Sequence, residues 1–244
     1  MNRYSFLVTL LILIICEGLI TLLEVPSYLL PLPSKILLEF WTSKNDLLAA
    51  LLETSKHTTL ALFFSSASGL VLAVLISLSP WLRAGILPLA QFFQTVPIIA
   101  IAPMLVIWFG FGAPTVIASA TIVSFFPILA SALQGIESTP KSSLELFKLY
   151  KANRIQTYLK LKLPLAIPWF LNGLRISVGL AVIGALVGEF IGGGGLGSLI
   201  DSARTQQRTE LVFAAVFGSC AIGWILTLAL DLLQHTLLKK WLQN

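Results

Sequence analysis

The sequence has few charged residues and few of the side chains that bind metals or form disulfides. Only 11% of its 244 residues are charged, whereas a soluble domain carries about 25%. Two cysteines, Cys16 and Cys220, lie in apolar runs, and the two histidines lie far apart, so no disulfide framework or metal site is expected. With 57% hydrophobic residues, the chain cannot hide its apolar surface in one core. The composition therefore predicts a membrane protein.

Six apolar runs predict an all-α membrane protein with six transmembrane helices. The runs cover residues 5–23, 58–78, 86–109, 114–134, 165–191 and 211–234. The first run is too long for a signal peptide, and no small-residue cleavage site follows it. We divide the chain into an N-terminal span with an outer amphipathic segment (1–56), a transmembrane domain (57–236) and a cytoplasmic tail (237–244).

The basic residues predict the orientation of the chain in the cytoplasmic membrane. With the N-terminus inside, the inner set holds Arg3, Arg83, Lys141, Lys148, Lys151, Arg154, Lys160, Lys162, Lys239 and Lys240, and the outer set holds Lys35, Lys44, Lys56, Arg204 and Arg208. Ten against five predicts that both termini are cytoplasmic. Because the charges lie beside apolar spans rather than on one basic face, we expect membrane lipid, and no nucleic acid, as a partner.

Residues 135–164 form the one long polar interruption in the apolar second half of the chain. Thr139 is predicted to cap a first helix, with Pro140 at its first position. Helical spacing predicts that its hydrophobic residues lie on one side and its charged residues on the other. The hydrophobic side holds Leu146, Phe147, Leu149 and Tyr150, and the opposite side holds Glu145, Lys148 and Lys151.

A second short helix is predicted to follow in the same segment. Asn153 is its expected N-cap, and Gln156 lies where it can complete a capping box. Pro164 is expected to stop or redirect the chain. Amphipathicity alone leaves two interpretations open: a helical loop lying on the membrane surface, or a pair of helices that docks onto another protein.

The polar segment resembles the loop of integral membrane permease subunits of binding-protein-dependent ABC importers. The signature of that loop is Glu-Ala-Ala, three residues, Gly, nine residues and Ile-x-Leu-Pro. Glu145 matches its Glu, Leu161 stands for its Ile, and Leu163-Pro164 match its Leu-Pro without a gap. Leu146 and Phe147 replace the two alanines, and Lys151 replaces the glycine.

Further motifs resemble the nitrate, sulfonate and taurine branch of these permeases. They lie at residues 95–103, 108–112, 125–127, 173–175, 187–190 and 195–197. Within the branch, the Glu-Leu-x version of the loop is similar to importers of the thiamine pyrimidine precursor or of riboflavin. The resemblance implies a channel-forming subunit for a small organic or anionic solute such as a sulfonate, nitrate, taurine or that precursor.

The resemblance also implies the partners and the coupling residues. We expect two ATP-binding subunits, a solute-binding protein outside, and a second copy of the chain or a related permease. The residues implied to couple to the ATP-binding subunits are Glu145, Leu146, Phe147, Lys148, Leu149, Tyr150, Lys151, Ala152, Leu163 and Pro164. No Gly-x4-Gly-Lys-Ser/Thr occurs, so we expect no cofactor or catalytic residue in this chain, and ATP with Mg²⁺ in the partner.

Prolines in the third and fourth predicted spans favour helices that line a shared path, although ordinary kinks in a packed bundle are the alternative. The residues predicted to line the path are Gln94, Thr95, Pro97, Ser124 and Glu189. Arg175 is either an anion contact or the partner of an internal carboxylate. Two other function classes are a membrane-embedded enzyme and a secondary transporter acting alone; the first lacks convergent catalytic groups and the second an inverted repeat.

Overall fold

The computed structural model describes the backbone of residues 3–242 and the side chains of residues 7–8 and 10–234. Within these residues the chain is entirely helical. The helices are α1 (Arg3–Leu22), α2 (Pro33–Thr42), α3 (Lys44–Leu78), α4 (Pro80–Thr95), α5 (Ile98–Phe109), α6 (Ala113–Glu137), α7 (Lys141–Leu149), α8 (Arg154–Thr157), a π-helical turn (Tyr158–Lys162), α9 (Leu163–Gly192), α10 (Gly195–Thr205) and α11 (Thr209–Leu242).

Four helical segments within the described residues are long and apolar enough to cross a membrane. They are Lys44–Leu78, Ala113–Glu137, Arg154–Gly192 and Thr209–Gln234. The pair α4 and α5 makes a fifth span if it is counted as one, and α1, with its apolar stretch Leu10–Leu22, is the remaining candidate for a sixth. The predicted boundary between residues 56 and 57 falls inside α3.

The third predicted span is not one continuous helix. The axes of α4 and α5 meet at 103°, and the break lies at Val96 and Pro97. Pro97 has no N–H to continue the helix, and the residue before a proline is driven to extended backbone. Val96 accordingly has φ −74° and ψ 124°. The third predicted span, over 86–109, is therefore formed by two helices that meet at a sharp bend.

Glycines bring α6 and α9 into close antiparallel contact at the centre of the bundle. A Cβ added at Gly173 would lie 2.7 Å from Ser131 Cβ, and one added at Gly184 would lie 2.7 Å from Ala120 Cα. On the other face of α6, Gly69 of α3 packs against Ile128. Small residues allow such close approach between membrane helices, so α3, α6 and α9 form the core.

Helix α2 is tied to the start of α11 by a cluster around Glu39. Its carboxylate accepts hydrogen bonds from Ser43 Oγ at 2.7 Å, from Thr42 Oγ1 at 3.1 Å and from the Arg208 guanidinium at 2.5 Å. Partial burial raises the pKa of Glu39, but the bonds from Ser43, Thr42 and Arg208 outweigh burial and hold that pKa below its ordinary value. The carboxylate thus stays ionised and holds α2 against the bundle.

Candidate functional site

The helix α7 begins one residue later than the sequence predicts. Pro140, with φ −58° and ψ 136°, is its N-cap, and Lys141 is its first residue. Thr139 does not cap α7: its side chain is buried, and its hydroxyl donates to the carbonyl of Ile136 at 3.0 Å. The prediction of Thr139 as the cap is therefore wrong, because its hydroxyl is used to end α6.

The hydrophobic residues of α7 divide between two sides. Leu146, Leu149 and Tyr150, at spacing i, i+3 and i+4, form a continuous exposed face, with Leu149 80% exposed and Tyr150 79% exposed. Phe147 is half-buried and, with the half-buried Leu144, turns towards the rest of the chain. The four residues predicted to share one side thus separate into an exposed triad and an inward-facing phenylalanine.

A tight turn ends α7 at the position where the resembled loop has glycine. Lys151 has φ +53°, in the left-handed region that glycine adopts most easily. The amide of Ala152 donates to the carbonyl of Phe147 at 3.0 Å, and the amide of Lys151 donates to that of Lys148 at 2.9 Å. These two bonds make a Schellman motif, so the turn forms although Lys151 replaces glycine.

The second helix of the segment begins as predicted and then continues further than predicted. Asn153 caps α8, and its side chain and that of Gln156 form the capping box, with bonds of 2.7 and 3.0 Å. After the π-helical turn, Leu163 and Pro164 enter α9 directly. Pro164 does not stop or redirect the chain, because the chain stays helical from the π-helical turn through Pro164 into α9.

The remaining predicted coupling residues lie around this segment. Glu145, Lys148 and Lys151 are exposed, while Ala152, Leu163 and Pro164 are half-buried. The segment thus presents the exposed triad on a short helix that is bounded by a fixed turn.

The residues predicted to line a path are not brought together by the structure. Gln94, Thr95 and Pro97 are exposed at the break between α4 and α5, and Thr95 Oγ1 donates to the carbonyl of Phe92. Ser124 is buried inside α6, where its hydroxyl donates to the carbonyl of Ala120 at 2.7 Å. The break therefore carries the exposed polar groups, and Ser124 serves helix packing.

Arg175 forms an ion pair between α9 and α11. Its guanidinium lies 2.5 Å from the carboxylate of Asp231, and both side chains are partly exposed. The sequence left two roles open for Arg175, an anion contact or a partner for an internal carboxylate. The ion pair with Asp231 is the second of these roles. Asp231, which sequence reasoning passed over, lies in the sixth predicted span, where an acidic residue signals a partner of opposite charge.

Glu189 is completely buried at the end of the bundle opposite α7. One carboxylate oxygen accepts from Thr54 Oγ1 at 2.9 Å and from the amide of Gly197 at 3.0 Å, and the other lies 3.0 Å from Nδ1 of the buried His57. A buried carboxylate is tolerated only with such partners. Glu189 is therefore a structural centre, and its partners Thr54 and His57 were missed because they lie 135 and 132 residues away along the chain.

The same cluster caps the first turn of α10. The free amides of Gly195, Leu196 and Gly197 donate to Glu53 Oε2 at 2.8 Å, to Thr54 Oγ1 at 2.8 Å and to Glu189 Oε2 at 3.0 Å. Two carboxylates at a helix N-terminus also interact favourably with its dipole. Gly195 has φ +57°, and a Cβ there would collide with the Glu189 carboxylate, so only glycine fits.

Within the described residues, no group of three or more His, Cys, Asp or Glu side chains is arranged to hold a metal ion. The cluster around Glu189 fixes the glycine-rich turn and α10 through hydrogen bonds.

Comparisons with known proteins identify the family. Residues 65–243 match the model of the binding-protein-dependent transport system inner membrane component. A protein of Haemophilus influenzae named as a probable ABC transporter permease protein is 35% identical over 225 residues, covering 92% of each chain. The formylaminopyrimidine transport permease protein ThiX of Halalkalibacterium halodurans is 36% identical, covering 86% of this chain and 85% of its own length.

Further relatives and a solved structure agree with this assignment. The riboflavin transport system permease protein RibX of Chloroflexus aurantiacus is 33% identical, covering 95% of this chain and 87% of its own length. Relatives named for aliphatic sulfonates, taurine and nitrate confirm the predicted branch. An amino acid ABC transporter structure shares the fold, with a TM-score of 0.65, 18% identity, and coverage of 83% of this chain and 97% of that one. The chain belongs to the inner membrane components of binding-protein-dependent transport systems, the permease subunits of ABC importers.

Proposed function

We propose that this chain crosses the cytoplasmic membrane six times and docks an ATP-binding subunit through the exposed triad of α7, Leu146, Leu149 and Tyr150. The sixth span would be α1, and α4 with α5 would together make one broken span. The excess of Lys and Arg on one side supports cytoplasmic termini and a cytoplasmic α7. Two copies of the chain, two ATP-binding subunits and an outer solute-binding protein would form the importer.

The observation that carries this proposal is the exposed triad itself. Leu149 and Tyr150, the last residue and the C-cap of a nine-residue helix, are about four-fifths exposed. An amphipathic helix of this kind buries its apolar face in a groove of a partner, and the anchors lie at i, i+3 and i+4. The exposed Glu145, Lys148 and Lys151 surround the triad and suit pairing at the rim of such a groove, where charges select the partner.

The chemistry of transport then divides between the subunits. ATP and Mg²⁺ bind the partner, and closure of two ATP-binding subunits displaces α7. The permease contributes helices that change their mutual arrangement, and the exposed polar groups at the break between α4 and α5 lie where such a change opens or closes a path. Gln94, Thr95 and Pro97 are the proposed path residues on this chain.

The docking proposal is tested by Leu149→Asp in the full chain, expressed with its ATP-binding subunit. Burying a leucine contributes about 1.5–3 kcal/mol, so its replacement by a charge weakens the complex by about tenfold or more. The measurement is the amount of ATP-binding subunit that co-purifies with the tagged permease. The matched control is Ile155→Asp on α8, since Ile155 is 69% exposed in the same segment but lies off α7. Equal retention by both variants would contradict the docking role of the triad.

For the solute, a small heterocycle is proposed ahead of a sulfonate. The relatives named for formylaminopyrimidine and riboflavin transport are 36% and 33% identical, and the one named for aliphatic sulfonates is 29% identical. The test is stimulation of ATP hydrolysis in the reconstituted importer when the solute-binding protein is supplied with formylaminopyrimidine, riboflavin or taurine. Stimulation by taurine alone would refute the heterocycle.

A further inference from the structure

The helix α4 faces α6 across an open cleft at the α7 end of the bundle. The cleft has a volume of about 390 Å³. Arg83, Leu87 and Gln91, at spacing i, i+4 and i+8, line it from α4, and Gln134 and Glu137 are among the residues that line it from α6. None of the sixteen described residues of α4 is buried. The two helices are therefore not packed against each other as α6 and α9 are.

An ion pair bridges this cleft. The guanidinium of Arg83 lies 2.5 Å from the carboxylate of Glu137, with side chains 52% and 33% exposed. Half-buried apolar residues of α4, namely Ile86, Leu87 and Ala90, add a non-directional contact with the core. The ion pair is thus the directional contact that relates the position of α4 to the end of α6.

The link from Glu137 to α7 is short and stiff. Glu137 is the last residue of α6, and three residues separate it from Lys141, the first residue of α7. The hydroxyls of Ser138 and Thr139 donate to the carbonyls of Gly135 and Ile136 at 2.9 and 3.0 Å, and Pro140 has a fixed φ. A displacement of α7 is therefore passed to Glu137 rather than absorbed in the connection.

Arg83, the other member of the ion pair, lies near the start of α4. Arg83 lies in the first turn of α4, and from there the helix runs about 18 Å to its last residue, Thr95, beside the break at Val96 and Pro97. Only Ser79 connects α3 to α4. α4 contains Pro88 but stays helical through it, so a force applied at Arg83 turns α4 about that short connection and shifts the broken span.

We propose that Arg83 and Glu137 form a strut that transmits the displacement of α7 to the broken span formed by α4 and α5. Both are positioning residues, since they act through other groups and need touch neither ATP nor solute. The proposal rests on the docking of α7 proposed above. It adds a specific route from α7 to the helix pair that carries the path residues.

The test measures distances between spin labels in the complex of the full chain with its ATP-binding subunit, so no solute is needed. Cys16 and Cys220 are replaced by serine, and one reference label is placed at Ile122 of α6. A second label is placed at Lys141 to follow α7 or at Leu89, on the side of α4 away from the cleft, to follow α4. Distances are recorded without nucleotide and with ATP and vanadate.

Both distances are expected to shift with nucleotide in the unsubstituted chain. In Arg83→Gln and in Glu137→Gln, the α7 shift persists and the α4 shift is lost. The double variant Arg83→Glu with Glu137→Arg, in which the two charges are exchanged, restores the α4 shift. Asp201→Asn is the matched control, because it removes an exposed ion pair with Arg204 at the opposite end, and it leaves both shifts unchanged.

Three results would overturn the strut. The α4 shift could persist in Arg83→Gln, or the exchanged pair could fail to restore it, and either result removes the ion pair as the transmitting contact. Absence of the α7 shift in the unsubstituted complex would show that nucleotide does not displace α7 and would overturn the strut, whereas docking itself fails only if Leu149→Asp retains the ATP-binding subunit as well as Ile155→Asp does. The failure of the docking proposal is thereby distinguished from failure of the strut alone.

Discussion

At the α10 end of the bundle a carboxylate is completely buried, whereas at the α7 end leucine and tyrosine side chains are about four-fifths exposed. Around Glu189, hydrogen bonds from Thr54 and Gly197 and contact with His57 satisfy the buried carboxyl group. A fully bonded buried network fixes one arrangement of the chain. The comparison teaches that one end is built to hold its shape, whereas the other exposes the apolar surface through which we propose that the partner docks.

The largest expected effect comes from adding one methyl group at the rigid end. In Gly195→Ala, the new Cβ meets the Glu189 carboxylate and requires a left-handed backbone that alanine disfavours. Leaving a buried polar group without its hydrogen bond costs about 1–3 kcal/mol, and the backbone strain adds to this cost, so the detergent-solubilised protein should melt at a markedly lower temperature. The measurement is the thermal denaturation of the purified chain.

The control for that variant is Gly179→Ala on α9. No atom lies within 4 Å of a Cβ at Gly179, so the melting temperature should stay the same or rise slightly. If Gly195→Ala and Gly179→Ala have the same melting temperature, the Glu189 cluster does not hold α10, and the contrast between the two ends of the bundle is lost.

A smaller effect, of opposite sign, is expected at the docking end. Lys151→Gly relieves the positive φ of +53° and should stabilise the turn after α7 by about 1 kcal/mol. Hydrogen exchange at the amides of Lys151 and Ala152, which bond to Lys148 and Phe147, should slow by about fivefold.

The matched variant replaces a lysine inside the same helix. Lys148→Gly lies in α7 at a helical position, where glycine costs about 1 kcal/mol, so exchange at the same amides should accelerate. A similar acceleration in Lys151→Gly would show that the lysine side chain, rather than its backbone conformation, secures the turn.

Local sequence signals predicted the structure of the polar segment, residues 135–164, better than the interior of the bundle. The capping box of Asn153 and Gln156 forms as predicted because all of its partners lie within three residues. Thr139 and Pro164 were assigned wrongly because their hydrogen-bond consequences depend on where α6 ends and α9 begins. The family and its branch were predicted correctly from motifs at fixed spacing.

Contacts between residues far apart in the chain could not be predicted from the sequence. Glu189 was expected to line a path, but it lies against Thr54 and His57 of α3, and no short-range pattern signals that pairing. The break at Pro97 carried a local signal, since a proline follows an apolar run, yet its angle of 103° depends on the packing of α4 and α5. Hydropathy reports an apolar run without reporting whether its axis is straight.

The smallest effect should appear when the rigid end is acidified. The pKa of Glu39 lies below its ordinary value, so its ties to Ser43, Thr42 and Arg208 stabilise the fold fully above the ordinary carboxyl pKa of about 4. That contribution is lost as the pH falls through the lowered pKa. Acidification from pH 7 to pH 3 should therefore loosen α2, which the fluorescence of the exposed Trp41 in a single-tryptophan variant would report.

The control variant Glu39→Gln should remove this transition because its amide does not titrate. If the transition stayed in Glu39→Gln, another acid at this end would hold α2.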